Sequence, residues 1–82
     1  MARHTQAHIP KRVDKRRPGG LSAMVKRQTE YYMGAKLLEI GVDPKSALYR
    51  WTVSEDDRYV TYTYSAYWGD SREELERSEA NG

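Results

Sequence analysis

The stretch YRWTVSEDDRYVTYTYSAYW, residues 49–68, decides the fold. Two runs rich in aromatic and β-branched residues, 49–54 and 59–68, flank the charged tetrapeptide 55–58. Polarity alternates along both runs, as expected for strands, in which successive side chains point to opposite faces. The pattern predicts an antiparallel β-hairpin with a solvated tip at 55–58. One face is apolar (Trp51, Val53, Val60, Tyr62, Tyr64, Ala66 and Trp68), and the other is polar (Arg50, Thr52, Ser54, Thr61, Thr63 and Ser65).

The segment before the hairpin predicts a long helix from Leu21 to Ile40. Apolar residues recur there at intervals of three and four, the spacing of one helical face, at Leu21, Met24, Val25, Tyr31, Tyr32, Ala35 and Leu38. Met33, Leu37 and Ile40 widen this stripe. We expect the helix to pack on the apolar face of the hairpin. That face therefore belongs to the core, and its Trp and Tyr rings are expected to be core residues rather than a platform for stacking bases.

Local signals predict where the helices begin and end. Ser22 is expected to cap the long helix, and Gly41 suits the left-handed residue that often follows a helix. Asp43-Pro44 then predicts a short helical turn that ends near Leu48. Residues 71–74, SREE, have the spacing of a capping box that opens a weak acidic helix, with Leu75 as its only strong anchor. Together these elements predict an α+β fold.

Residues 1–20 lack apolar periodicity, and only Ile9 and Val13 are sizeable apolar candidates for burial. Pro10 and the step Pro18-Gly19-Gly20 interrupt the segment further. The sequence therefore predicts a flexible basic arm at 1–20, hinged at the glycines, and a small α+β domain at 21–82.

The charges divide steeply between the two parts of the chain. Residues 1–27 carry a net charge of +7 and residues 28–82 a net charge of −5, although the whole chain is only +2. Most of the positive charge lies in a cluster that we name the basic cluster: Lys11, Arg12, Lys15, Arg16, Arg17, Lys26 and Arg27. Flexible basic segments neutralise phosphates and release counterions without needing a base sequence. An acidic protein surface and a passive solubilising tail are the alternative interpretations of this cluster.

Catalysis and metal binding are not indicated. His4 and His8 are the only histidines and lie in the segment expected to be flexible, and the acidic tip 55–57 lacks the spacing of a calcium loop. We therefore expect no enzymatic activity, no metal and no cofactor. The 82 residues contain no Cys and no long apolar run, which favours a soluble, intracellular protein without a membrane contact.

The sequence thus favours a non-catalytic binding protein, an adaptor, regulator or assembly component. Its basic arm would contact nucleic acid without sequence preference, and its Tyr- and Trp-rich acidic body would contact a protein through Tyr59, Tyr67 and Arg50. The alternative is an inhibitor or structural subunit, such as a viral accessory protein, whose arm contacts an acidic protein surface. Because so small a core is marginal, self-association is also expected.

Overall fold

The computed structural model describes residues 5–81 and has the α+β architecture that the sequence predicts. In chain order the elements are β1 (Gln6–Asp14), α1 (Ala23–Glu39), a single 3-10 turn (Pro44–Ser46), β2 (Leu48–Glu55), β3 (Tyr59–Tyr67) and α2 (Gly69–Asn81). The three strands form one antiparallel sheet in the order β1-β3-β2, so β3 is central.

The predicted hairpin is confirmed, with β2 paired to β3. Trp51 lies opposite Tyr64 and Val53 opposite Tyr62, so the apolar side chains share a face as their alternation predicts. At the tip, the Asp56 carboxylate accepts hydrogen bonds from the backbone N–H groups of Arg58 and Tyr59, both at 2.8 Å. An acidic side chain that bonds the backbone a few residues ahead stabilises a tight turn.

The expectation of an unfolded N-terminal arm is wrong for residues 6–14, because this segment is the strand β1. It pairs along the whole free edge of β3, from Gln6 opposite Tyr67 to Asp14 opposite Tyr59. A lone hairpin would leave that edge without hydrogen-bond partners, and a third strand satisfies it. The apolar alternation is hidden in the sequence because Lys11 occupies one of the inward positions, where its side chain is half-buried.

The glycines expected to form a hinge instead form the turn that leads from β1 to α1. Gly19 and Gly20 have φ values of +88° and +60°, a conformation that other residues adopt at a cost. A Cβ atom at Gly20 would also lie 2.8 Å from the hydroxyl oxygen of Tyr62. Residues 6–20 therefore belong to the sheet and its turn rather than to a separate arm, whereas residues 1–4 of the predicted arm lie outside the described residues.

The core lies between α1 and the apolar face of the sheet. Within residues 5–81 the buried apolar side chains are few and three of them are alanine: Ala7, Met33, Leu37, Ala47, Tyr64, Ala66 and Trp68. Thr29 is also buried, and its hydroxyl donates a 2.7 Å hydrogen bond to the Val25 carbonyl. Trp51 is half-buried against this cluster, so the sheet aromatics lie in the core or at its edge.

The predicted ends of the elements are correct for α1 and wrong for α2. The Ser22 side chain accepts a hydrogen bond from the Val25 N–H, and Gly41 has a φ of +84°. The second helix begins at Gly69, two residues before Ser71, so no capping box forms there. Ser71 instead exchanges a hydrogen bond with Thr5, which ties α2 to the start of β1.

Removal of residues 1–15 should abolish cooperative unfolding. The truncated chain would lose the partner of one edge of β3 and the core side chain Ala7, and would expose backbone groups that are now paired. Thermal melting followed by circular dichroism measures this, with removal of residues 1–4 as the control that leaves β1 intact. A truncated protein that keeps a sharp transition near that of the full chain would show that β1 is dispensable.

Candidate functional site

Two opposite sides of α1 carry apolar residues, and the sheet covers only one of them. The buried side is formed by Thr29, Met33 and Leu37, which recur every four residues. Tyr31 is 79% exposed, and the same holds for most residues of the predicted apolar stripe: Met24 is 70%, Tyr32 69% and Leu38 66% exposed. The sequence predicted the helix correctly, but of its wide apolar stripe only Met33 and Leu37 are buried, because the apolar residues on the two sides of the helix look alike.

The exposed stripe is continuous along the helix. Met24, Tyr31 and Leu38 are spaced by seven residues, about two helical turns, so they follow one another along the axis. Gln28 and Ala35 lie between them on the same side and are also exposed. We call these five residues the outer face of α1.

A groove borders the outer face where α1 approaches β1. It has a volume of about 580 Å³, and Tyr32 and Ala35 lie on its helical side while Ile9 and Lys11 line it from β1. The open edge of β1 runs beside it, but Pro10, at the middle of this strand, offers no N–H to a strand that might add there. The groove is therefore better suited to side chains than to an added strand.

The basic cluster is held on ordered backbone rather than on a mobile arm. Its residues lie in the second half of β1, in the connection that follows it and in the first turns of α1. Lys11 is set apart from the others, since it lines the groove beside the middle and C-terminal half of α1. The guanidinium of Arg12 lies over the Tyr59 ring, 4.4 Å from its centroid, a cation–π geometry. We call this region the basic end.

Acidic groups offset part of this charge. The Nζ of Lys15 lies 3.6 Å from Glu55, and Arg16 forms an ion pair with Asp14 at 3.2 Å. Hydrogen bonds from the Arg16 side chain and backbone lower the pKa of the Asp14 carboxyl, so it keeps its negative charge even in mild acid. The backbone N–H groups of Arg58 and Tyr59 likewise lower the pKa of Asp56, with smaller contributions from Lys15 and Arg12.

The residues expected at a protein interface lie on the polar face of the sheet. Tyr59 is half-buried under Arg12. Tyr67 is half-buried at the opposite end, where α2 lies across the sheet and the ring meets His8 edge-on. Arg50 forms an ion pair with Glu79 of α2. The structure therefore does not bring these three residues together into one surface.

Of the two histidines, the structure describes His8 alone. His8 lies on β1, and its ring hydrogen-bonds Ser65 at 2.7 Å, whereas His4 falls outside the described residues. Among residues 5–81 no three His, Asp or Glu side chains are grouped as metal ligands would be. Tyr64 has the largest pKa shift among the described residues. Burial, with smaller contributions from Glu30 and Tyr49, raises its pKa to about 12. A core tyrosine that stays neutral explains this shift without a chemical role.

A scan against family models and searches of curated proteins and solved structures find no match to this chain. In residues 5–81, no helix combines the length and the apolar character needed to cross a membrane.

The two sides of α1 should differ sharply when single residues are replaced. Met33→Ala or Leu37→Ala removes a fully buried side chain and should lower the free energy of unfolding by about 2–5 kcal/mol. Tyr31→Ala and Leu38→Ala should change it by no more than about 0.5 kcal/mol, because solvent already surrounds these side chains. Urea unfolding in dilute protein solution measures the difference. Similar losses for both pairs would mean that the wrong side of α1 has been assigned to the core.

Proposed function

We propose that this chain is a non-catalytic binding protein that docks a protein through the outer face of α1. One observation carries the proposal: Met24, Tyr31 and Leu38 are each about two-thirds exposed or more on one side of a single helix. Single exposed apolar residues are ordinary, but several large ones aligned on one side of a helix mark an interaction surface.

The size of the surface agrees with this role. With the neighbouring Tyr32, the exposed apolar area amounts to about 400 Å² when typical burial areas are scaled by the observed exposures. A standard interface buries about 800 Å² on each partner, a little over half of it apolar, or roughly 450 Å². The outer face and Tyr32 therefore supply apolar surface close to that of one specific complex. Tyrosine and methionine are also the residue types that interfaces favour.

Nucleic-acid binding at the basic end is the second candidate. What favours it is that the basic cluster occupies consecutive parts of the chain, from β1 through the connection into the first turns of α1. Of these, Lys15 and Arg16 have acidic partners within 4 Å in the described part of the chain, which leaves five for phosphates. The exposed acidic tip of the hairpin lies beside this end and opposes a close approach of phosphates. This local compensation makes protein docking the stronger of the two proposals.

A photoreactive amino acid at position 31 should cross-link to the docked protein in the cells that express the chain. The matched control carries the same group at Val53, which is 62% exposed on β2, away from α1. We expect a discrete adduct on a denaturing gel from position 31 and little or none from position 53. Mass spectrometry of the adduct identifies the partner. No adduct from position 31, or equal adducts from both positions, would contradict docking on this face.

If nucleic acid is a partner, its binding should weaken steeply with salt and show little sequence preference. Five phosphate contacts predict a log–log slope of roughly −4 to −5 on duplex DNA. Replacing Arg17, Lys26 and Arg27 together with Ala should reduce the slope by about 3 without disturbing the sheet. Replacing Lys36, Lys45 and Arg77, which lie outside the basic cluster, is the control of equal charge. Titrations of duplex and single-stranded oligonucleotides at two salt concentrations test this, and absence of binding at low salt would remove this candidate.

A further inference from the structure

We infer that the partner on the outer face of α1 is a second copy of this chain, docked antiparallel across a two-fold axis at Tyr31. This inference rests on the proposed docking function. Four observations support it: the symmetry of the stripe, the charges at the helix ends, the size of the apolar surface and the smallness of the core.

The stripe is self-complementary when two copies of α1 run in opposite directions. Met24 and Leu38 lie seven residues before and after Tyr31, so antiparallel alignment at Tyr31 places each Met24 against Leu38 of the other copy. The seven-residue spacing matches the seam of helices that cross at about 20°. The small Ala35 lies between these contacts and lets the helices approach closely, while the polar Gln28 occupies the corresponding position on the other side of Tyr31. The same patch then serves both copies, as a two-fold interface requires.

Charge selects the antiparallel arrangement over the parallel one. The first turn of α1 contains no acidic residue, although the positive end of a helix favours one there. In the antiparallel pair Glu39 of one copy lies opposite that first turn of the other. A parallel pair would instead place the two basic ends side by side and align the helix dipoles unfavourably.

The energetics of the single chain point the same way. Its apolar core within residues 5–81 holds only two large aliphatic side chains without exposure, Met33 and Leu37. A core of this size gives marginal stability, which small domains often supplement by association. Burying the outer face together with the adjacent Tyr32 removes apolar surface per copy close to the amount in a standard interface. Association with a second copy can therefore add the buried apolar surface that the core of a single chain lacks.

The first test is the oligomeric state of the full chain. Sedimentation equilibrium should show a reversible dimer. Tyr31→Glu should raise its dissociation constant by about a hundredfold or more, because the two-fold axis passes at Tyr31 and both copies lose this central contact. Val53→Glu introduces the same charge at an exposed apolar residue outside the interface and should leave the constant unchanged. Circular dichroism checks that both variants stay folded. A chain that is monomeric throughout, or whose dimer survives Tyr31→Glu, overturns the inference.

The second test fixes the orientation and uses the absence of cysteine from the chain. Under mild oxidation, a mixture of Met24→Cys and Leu38→Cys proteins should form mixed disulfide dimers, while each variant alone should not. Positions 24 and 38 are about 21 Å apart along the helix, far beyond the reach of a disulfide between like positions. Efficient cross-linking of each variant alone would indicate a parallel pair and overturn the antiparallel arrangement.

These outcomes separate the inference from the docking function on which it rests. If the chain is monomeric and position 31 cross-links to a different protein, the inference of a second copy is overturned, but the proposal of docking on the outer face stands. A monomeric chain with no adduct at position 31 overturns both. A photo-adduct of twice the 9.5 kDa chain mass, formed from position 31 and not from position 53, supports both.

Discussion

The pairing of β1 with β3 is the interaction on which the rest of this structure depends. β3 is the central strand, and it can be buried only when each of its edges has hydrogen-bond partners. β2 satisfies one edge through a local hairpin, but the other edge needs a strand from the far end of the chain. When β1 occupies that edge, Ala7 enters the core and the glycine turn directs α1 back across the sheet. The position of α1, and therefore of its outer face, follows from this pairing.

The local elements could be predicted from the sequence, and the long-range ones could not. The hairpin has a strict two-residue alternation and a charged tip, so its existence and its apolar face follow from residues 49–68 alone. The cap at Ser22 and the left-handed Gly41 are equally local signals. β1 escaped prediction because Pro10 and Lys11 break its alternation, and because its pairing depends on the open edge of β3. The basic residues around it resemble a disordered tail in composition, yet ladder hydrogen bonds order them.

Which side of α1 faces the sheet could not be predicted for a different reason, and that reason bears on the proposed function. When a helix has apolar residues on one side only, its buried face can be read from the sequence. α1 has apolar residues on two opposite sides. Periodicity cannot say which side meets the sheet. Met33 and Leu37 fit against the alanines and Tyr64 of the core, while the broad ring of Tyr31 remains in solvent. A helix that keeps an apolar stripe away from its own core has a surface that its own fold does not use, and that stripe is the strongest candidate site on this chain.

The position of β1 also has a consequence for synthesis on the ribosome. Asp14 leaves the ribosome well before Tyr59, the residue that it faces, since 45 positions separate them in the chain. Until β3 follows, β1 is a nascent strand without its partner, and unpaired strands readily pair with other chains. Pro10 and the flanking cations oppose such pairing, by removing a donor and by mutual repulsion. The same residues that hide the alternation of β1 in the sequence thus oppose its pairing with other chains until β3 has been synthesised.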